Sequence, residues 1–152
     1  MRKKILIIGG TGFIGKNLIL RLKNKNFKIF SLSKNLNYSF FKIKNIKQIS
    51  CDITKIKDIE KKLKKENFDY IVNLGGYIDH KKKIKTILTH FNGVKNLVKF
   101  FEEKKFKLFI QIGTSLEYGN VKSPQIESNS CKPKSNYGLA KLNASKIFFK
   151  VN

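Results

Sequence analysis

An apolar run, Lys4–Ile8, passes straight into Gly9-Gly10-Thr11-Gly12-Phe13-Ile14-Gly15. From Gly12 to about Lys25, apolar residues then recur at Phe13, Ile14, Leu18, Ile19 and Leu22. The run reads as a buried strand and the spacing after it as a helix. A strand feeding a helix through a glycine turn commits the chain to a crossover, and crossovers of this kind build parallel sheets with one handedness. The alternation continues. Strands are predicted at Phe27–Leu32, Ile46–Ser50, Tyr70–Leu74 and Lys107–Ile112, and helices over Lys55–Lys65, Ile84–Glu103 and Asn136–Lys150. Both prolines fall in Tyr118–Ser135, which reads as a loop. The fold class is α/β: a doubly wound parallel sheet of about five strands with helices on both faces.

A chain of 152 residues with 41% hydrophobic composition can build one domain with its own core. No apolar run approaches the roughly 20 residues of a membrane span. The basic start Met1-Arg2-Lys3-Lys4 precedes too brief an apolar run for a signal peptide, so a cytoplasmic protein with no membrane partner is expected. Cys51 and Cys131 are far apart and read as reduced thiols. His80 and His90 are too few for a metal site and read as surface residues. The net charge of +23 raises nucleic acid as a partner. Yet only Arg2 and Arg21 are arginines, and Lys is spread along the whole chain with Asn, Ile and Phe. That is a compositional bias. It predicts nonspecific polyanion affinity at low salt and no specific nucleic-acid partner.

The residues that carry chemistry follow the predicted strands, where ligands of open α/β sheets bind. Gly9, Gly12 and Gly15 allow a tight turn and close approach of backbone to a pyrophosphate, with the Phe13 and Ile14 amides as donors. After strand two, Ser33 and Lys34 stand where an acidic residue would hold an NAD ribose. Lys34 suits a 2′-phosphate, so the cofactor is NAD or NADP with a lean to NADP. Asp52 and Ile53 follow strand three, where Asp52 either accepts from an adenine amino group or caps the next helix. Leu74, Gly75 and Gly76 end strand four, where the small residues let backbone lie against a ribose and nicotinamide. Thr114 ends strand five, and Tyr137 and Lys141 lie one helical turn apart. A free tyrosine titrates near pH 10, so service as a base near neutrality needs a shift of about 3 units, roughly 4 kcal/mol. A neighbouring ammonium favours the phenolate and supplies part of that.

Together these segments resemble the extended short-chain dehydrogenase/reductase superfamily, and within it the NAD-dependent epimerase/dehydratase group. Thr11-Gly12-Phe13-Ile14-Gly15 is similar to its glycine segment, and Asp52-Ile53 to its adenine-contacting pair. Asn73-Leu74-Gly75-Gly76 is similar to a His/Asn-Leu-Ala-Ala/Gly segment. Gly93 and Asn96 are similar to Asn-Val-x-Gly-Thr-x-Asn, and Thr114 to Gly119 to Ser-Ser-x-x-Val-Tyr-Gly. Pro133 to Lys141 is similar to Pro-x-Ser-x-Tyr-Gly-x-Ser-Lys. The resemblance implies a Rossmann-type sheet and hydride transfer to or from a nucleotide sugar. It implies Thr114, Tyr137 and Lys141 as the catalytic group, with Tyr137 and Lys141 also touching the cofactor. It leaves room for a homodimer in the full-length form. His90 stands where the family has a cofactor-contacting Asn. Ser115-Leu116 replaces the Asp-Glu of sugar 4,6-dehydratases, which favours epimerisation or reduction over elimination.

Family members run to about twice this length, so the expectation is an N-terminal part, residues 1–152, with no substrate domain and an incomplete sheet. Two other functions compete: a noncatalytic dinucleotide-binding protein, and a basic nucleic-acid binder with a steep salt dependence.

Overall fold

The computed structural model describes residues 2–36, 43 and 45–150. Strand β1 (Lys3–Ile8) leads to α1 (Phe13–Leu22) and β2 (Phe27–Ser33), then β3 (Ile46–Ser50), α2 (Ile56–Leu63) and β4 (Tyr70–Asn73). A helical run follows: α3 (Lys83–Ile87), a π-turn (Leu88–Asn92) and α4 (Gly93–Phe101). Strand β5 (Leu108–Gln111), a 3-10 turn (Ser115–Glu117) and α5 (Asn136–Lys150) complete it. The strands form one sheet in the order β3-β2-β1-β4-β5, and every pairing is parallel. The predicted α/β class and strand count hold. Boundaries differ by up to about three residues, the first helix ending at Leu22 where about Lys25 was expected. The π-turn inside the third predicted helix was not foreseen.

Because strand side chains alternate, each central strand feeds two cores. Leu6, Ile8, Phe30, Leu32 and Ile71 meet Ile59 and Leu63 of α2 and Leu97 and Phe101 of α4 on one face. Ile5, Ile7, Ile29 and Val72 meet Ile19 of α1 on the other. Burial on both faces explains why β1 and β2 read as nearly continuous apolar runs. In β5 the alternation leaves one face open. Leu108 and Ile110, with Ile112 just beyond the strand, are 49%, 39% and 42% exposed, while Phe109 packs toward Phe101 and Phe148.

The chain winds outward from β1 in both directions, to β2 and β3 on one side and to β4 and β5 on the other. That reversal opens a crevice at the carboxyl ends of β1 and β4, where this architecture holds ligands. No described helix is long and apolar enough to cross a membrane.

Candidate functional site

The loop from β1 to α1 is built around missing side chains. Gly9 has φ +78°, and its amide donates to the Leu32 carbonyl at 2.8 Å. A Cβ at Gly15 would lie 2.3 Å from the Gly9 carbonyl oxygen, so α1 can start this close to the strand only with glycine. Gly12 is the N-cap of α1 and no side chain caps the helix, which leaves the first amides, including those of Phe13 and Ile14, as donors for a ligand. The Ser33 hydroxyl accepts the Thr11 amide at 3.1 Å, so it braces this loop from β2.

Lys34 and Asp52 meet. The ammonium lies 3.1 Å from Asp52 Oδ2, with Lys34 itself largely exposed. Asp52 Oδ1 accepts the Thr54 amide at 3.1 Å and the Thr54 hydroxyl at 2.7 Å. Burial pushes the Asp52 carboxyl up, but the Thr54 and Lys34 bonds outweigh it and hold the pKa below the usual carboxylate value. The N-cap of α2 is Lys55, so Asp52 braces the turn before the helix and is not its N-cap. The Ile53 side chain is buried, and the Ile53 backbone carbonyl accepts from the Asn96 side-chain Nδ2 at 3.0 Å. A Cβ at Gly93 would sit 2.9 Å from Ile53 Cδ1. Gly93 and Asn96, matched by pattern alone, thus share the task of seating the Asp52-Ile53 loop against α4.

At the end of β4, Asn73 is buried, accepts the Gly75 amide at 3.0 Å and donates to Gln111 at 2.7 Å. The Leu74 amide donates to the Ile8 carbonyl at 2.9 Å, which keeps Leu74-Gly75-Gly76 beside the glycine loop. A Cβ at Gly9 would lie 2.8 Å from Gly75 N, so the two segments touch backbone to backbone.

The histidines require a correction. His80 is exposed as expected, but His90 on the π-turn is buried, at 5% exposure. It fits beneath Gly76, where a Cβ would lie 2.7 Å from its Cε1. Its Nε2 is 3.1 Å from both the amide nitrogen and the carbonyl oxygen of Tyr77. Burial lowers its pKa against the Tyr77 bond, and Lys141 and His80 push the same way. Both rings flank Tyr137. His80 stacks on it at 3.9 Å and 9°, and His90 meets it edge-on at 4.8 Å.

Tyr137 and Lys141 stand on α5, which packs onto the turn that carries Thr114. A Cβ at Gly138 would lie 2.5 Å from the Leu116 carbonyl oxygen. Lys141 is 6% exposed and donates to the Ile112 carbonyl, two residues before Thr114. Burial lowers its pKa and Glu117 partly opposes this. Thr114 N-caps the 3-10 turn, with its hydroxyl accepting only a long 3.4 Å bond from the Leu116 amide. A cleft of about 430 Å³ opens between His80, Leu116, Pro133, Ser135, Tyr137 and Leu139. Glu117, buried under this group, was missed. Thr114-x-x-Glu117 spells a capping box, a signal the sequence did contain.

Residues 5–152 match the NAD dependent epimerase/dehydratase family. The chain belongs to that family. It is 32% identical over 149 residues to a dTDP-D-glucose 4,6-dehydratase of Dictyostelium discoideum, covering 88% of this chain and 34% of that one. It is 26% identical over 144 residues to a GDP-6-deoxy-D-talose 4-dehydrogenase of Aggregatibacter actinomycetemcomitans, covering 91% and 45%. Among solved structures, the ADP-L-glycero-D-manno-heptose-6-epimerase of Helicobacter pylori superposes with a TM-score of 0.86 at 25% identity, covering 98% of this chain and 51% of that one. The Bordetella bronchiseptica enzyme WbmG in complex with NAD gives a TM-score of 0.89 at 20% identity, covering 99% and 50%. The chain therefore spans about half the length of these structural relatives, and less than half of the curated ones. The family is NAD-dependent, and the residues present fit a dinucleotide. Gly9 and Gly15 let the loop pack backbone to backbone with no side chain at these positions, and the α1 amides lack a side-chain cap.

Proposed function

We propose that this chain is the dinucleotide-binding part of an enzyme that epimerises or reduces a nucleotide sugar. The observation that carries the reading is the placement of Tyr137 and buried Lys141 on α5, with Lys141 bonded to the Ile112 carbonyl just beyond β5 and Tyr137 against His90, which lies under Gly76 just beyond β4. The dinucleotide, when bound, supplies the hydride acceptor or donor. Gly9, Gly12, Gly15 and the Phe13 and Ile14 amides hold its pyrophosphate. Asp52 and Ile53 receive the adenine end, and Leu74, Gly75 and Gly76 lie along the ribose and nicotinamide. Tyr137 takes the proton from a sugar hydroxyl at its phenolic oxygen and returns it there. Lys141 favours the phenolate and holds the nicotinamide ribose, and Thr114 orients the sugar oxygen. The family admits dehydratases as well. Ser115 and Leu116 offer no carboxylate or carboxylic acid for elimination, so epimerisation or reduction is the better fit.

Lys34 tips the cofactor toward NADP, because its exposed pairing with Asp52 is worth at most about 1 kcal/mol and a 2′-phosphate can recruit it. Ser33 braces the loop beneath that phosphate. The sugar contacts and the last strands belong to residues beyond these 152 in this reading, and the position of β5 at the edge of the sheet supports it. The full-length form can then pair as a homodimer. Alone, the 152 residues bind cofactor with little turnover, which also leaves a sensor-like role open to them.

Titration of the chain with NAD and NADP at physiological salt, with a polyanion competitor, tests this. Saturable binding that the polyanion does not displace is expected, and Lys34→Ala should weaken NADP more than NAD. No dinucleotide binding, or binding that polyanion abolishes, overturns the reading. In the full-length context Tyr137→Phe should abolish hydride transfer and keep cofactor binding.

A further inference from the structure

Glu117 has no part in the roles assigned above, yet it is a buried acidic side chain at 8% exposure. Both carboxylate oxygens are engaged. Oε1 accepts the Thr114 amide at 2.8 Å, and Oε2 accepts the Ser145 hydroxyl at 2.9 Å. The first bond closes the turn on which Thr114 sits. The second reaches α5 one helical turn beyond Lys141, on the same face of the helix. Gly113 makes room, since a Cβ there would lie 3.0 Å from Oε1.

The charge matters as much as the bonds. Lys141 is buried, and a buried ammonium is costly unless an opposite charge is near. Glu117 on the turn is the anion that acts on it. The titratable neighbours of Lys141 include His90 on the π-turn, whose own pKa Lys141 helps to lower, and Tyr137 one turn back on the same helix. Neither supplies a fixed negative charge.

We propose that Glu117 is a positioning residue that straps the Thr114 turn to α5 and sets the charge environment of Lys141. The proposal rests on the reading of Thr114, Tyr137 and Lys141 as the catalytic group. One carboxylate then fixes the distance between the hydroxyl that orients the sugar oxygen and the helix that carries the proton-transferring phenol. Its charge also opposes the effect of burial on Lys141.

The test needs no substrate. The Lys141 side-chain amine is titrated by NMR in the 152-residue chain, with Lys141→Arg to assign its signal. Glu117→Gln keeps an acceptor for the Thr114 amide and removes the charge, so Lys141 should titrate at lower pH than in the parent chain. Glu117→Asp keeps the charge and shortens the reach, so the Thr114 amide should exchange faster while the Lys141 titration stays closer to the parent than in Glu117→Gln. An unmoved Lys141 titration in a folded Glu117→Gln chain overturns the proposal. If that variant does not fold, Glu117→Asp decides: a Thr114 amide that exchanges no faster than in the parent chain overturns the proposal. An active Tyr137→Phe enzyme would sink the catalytic reading and leave these shifts in place. Absent shifts with an inactive Tyr137→Phe would sink the strap alone.

Discussion

His90 is held in its neutral form by burial, so protonation must work against the fold. A histidine whose folded pKa is depressed contributes stability that is fully present above its unfolded pKa and is lost as pH falls through the folded one. The unfolded value is near 6.5. The melting temperature should therefore drop as pH falls from about 7 toward 5, and His90→Asn should flatten that slope. A scan in which both chains fall in parallel would refute the assignment. Cys51 offers a second test at this scale. Burial, then the neighbouring Asp58 carboxylate, push its thiol up to about 12, while Cys131 lies exposed. A maleimide at pH 8 should add once to the folded chain, at Cys131, and twice to the unfolded chain, as read by mass. The histidine result also marks where residue reading stopped. His80 and His90 look alike in sequence, and only the π-turn and the space under Gly76 send one of them inward. Glu117 was within reach, because Thr114-x-x-Glu117 is a local signal. Asn96 was not, since its bond to the Ile53 carbonyl joins residues far apart in the chain.

Among the elements, the β1–α1 loop and the α4–Ile53 contact both depend on glycine, but to different degrees. Gly15→Ala would place a methyl 2.3 Å from backbone oxygen, and backbone cannot retreat. It should cost about 1–3 kcal/mol and weaken dinucleotide binding. Gly93→Ala meets Ile53 Cδ1 and Cγ1, both at 2.9 Å, and the Ile53 side chain must shift as a whole; a side chain can move where backbone cannot, so a smaller loss is expected. Urea midpoints of the two variants order them, and the reverse order would contradict this packing. Strands β1 and β2 were legible because both faces are buried and their apolar runs are nearly continuous. Helix α5 was legible from its Tyr/Lys spacing and the loop before it. The π-turn was invisible, because it adds a residue to one turn without altering the apolar stripe that predicts a helix.

Across the whole molecule, charge and the open edge dominate. A net charge of +23 repels itself, and added salt screens it. The melting temperature should rise between about 0.01 and 0.15 M salt, where the Debye length falls from about 30 to 8 Å. The exposed row Leu108, Ile110 and Ile112 on β5, whose outer edge pairs with no strand among the described residues, invites association. Ile110→Lys should lower light scattering on storage at little cost in urea midpoint. Scattering unchanged from the parent would show that this edge is not where the chains meet. The parallel sheet has one further consequence, in time. Ile5 of β1 pairs with Tyr70 of β4, so during synthesis the first strand waits for its second neighbour. At about 5–20 residues per second the ribosome takes roughly 3–13 s to make that stretch. For that interval the most apolar strand of the protein is half covered, and a chaperone has its best opportunity to hold it.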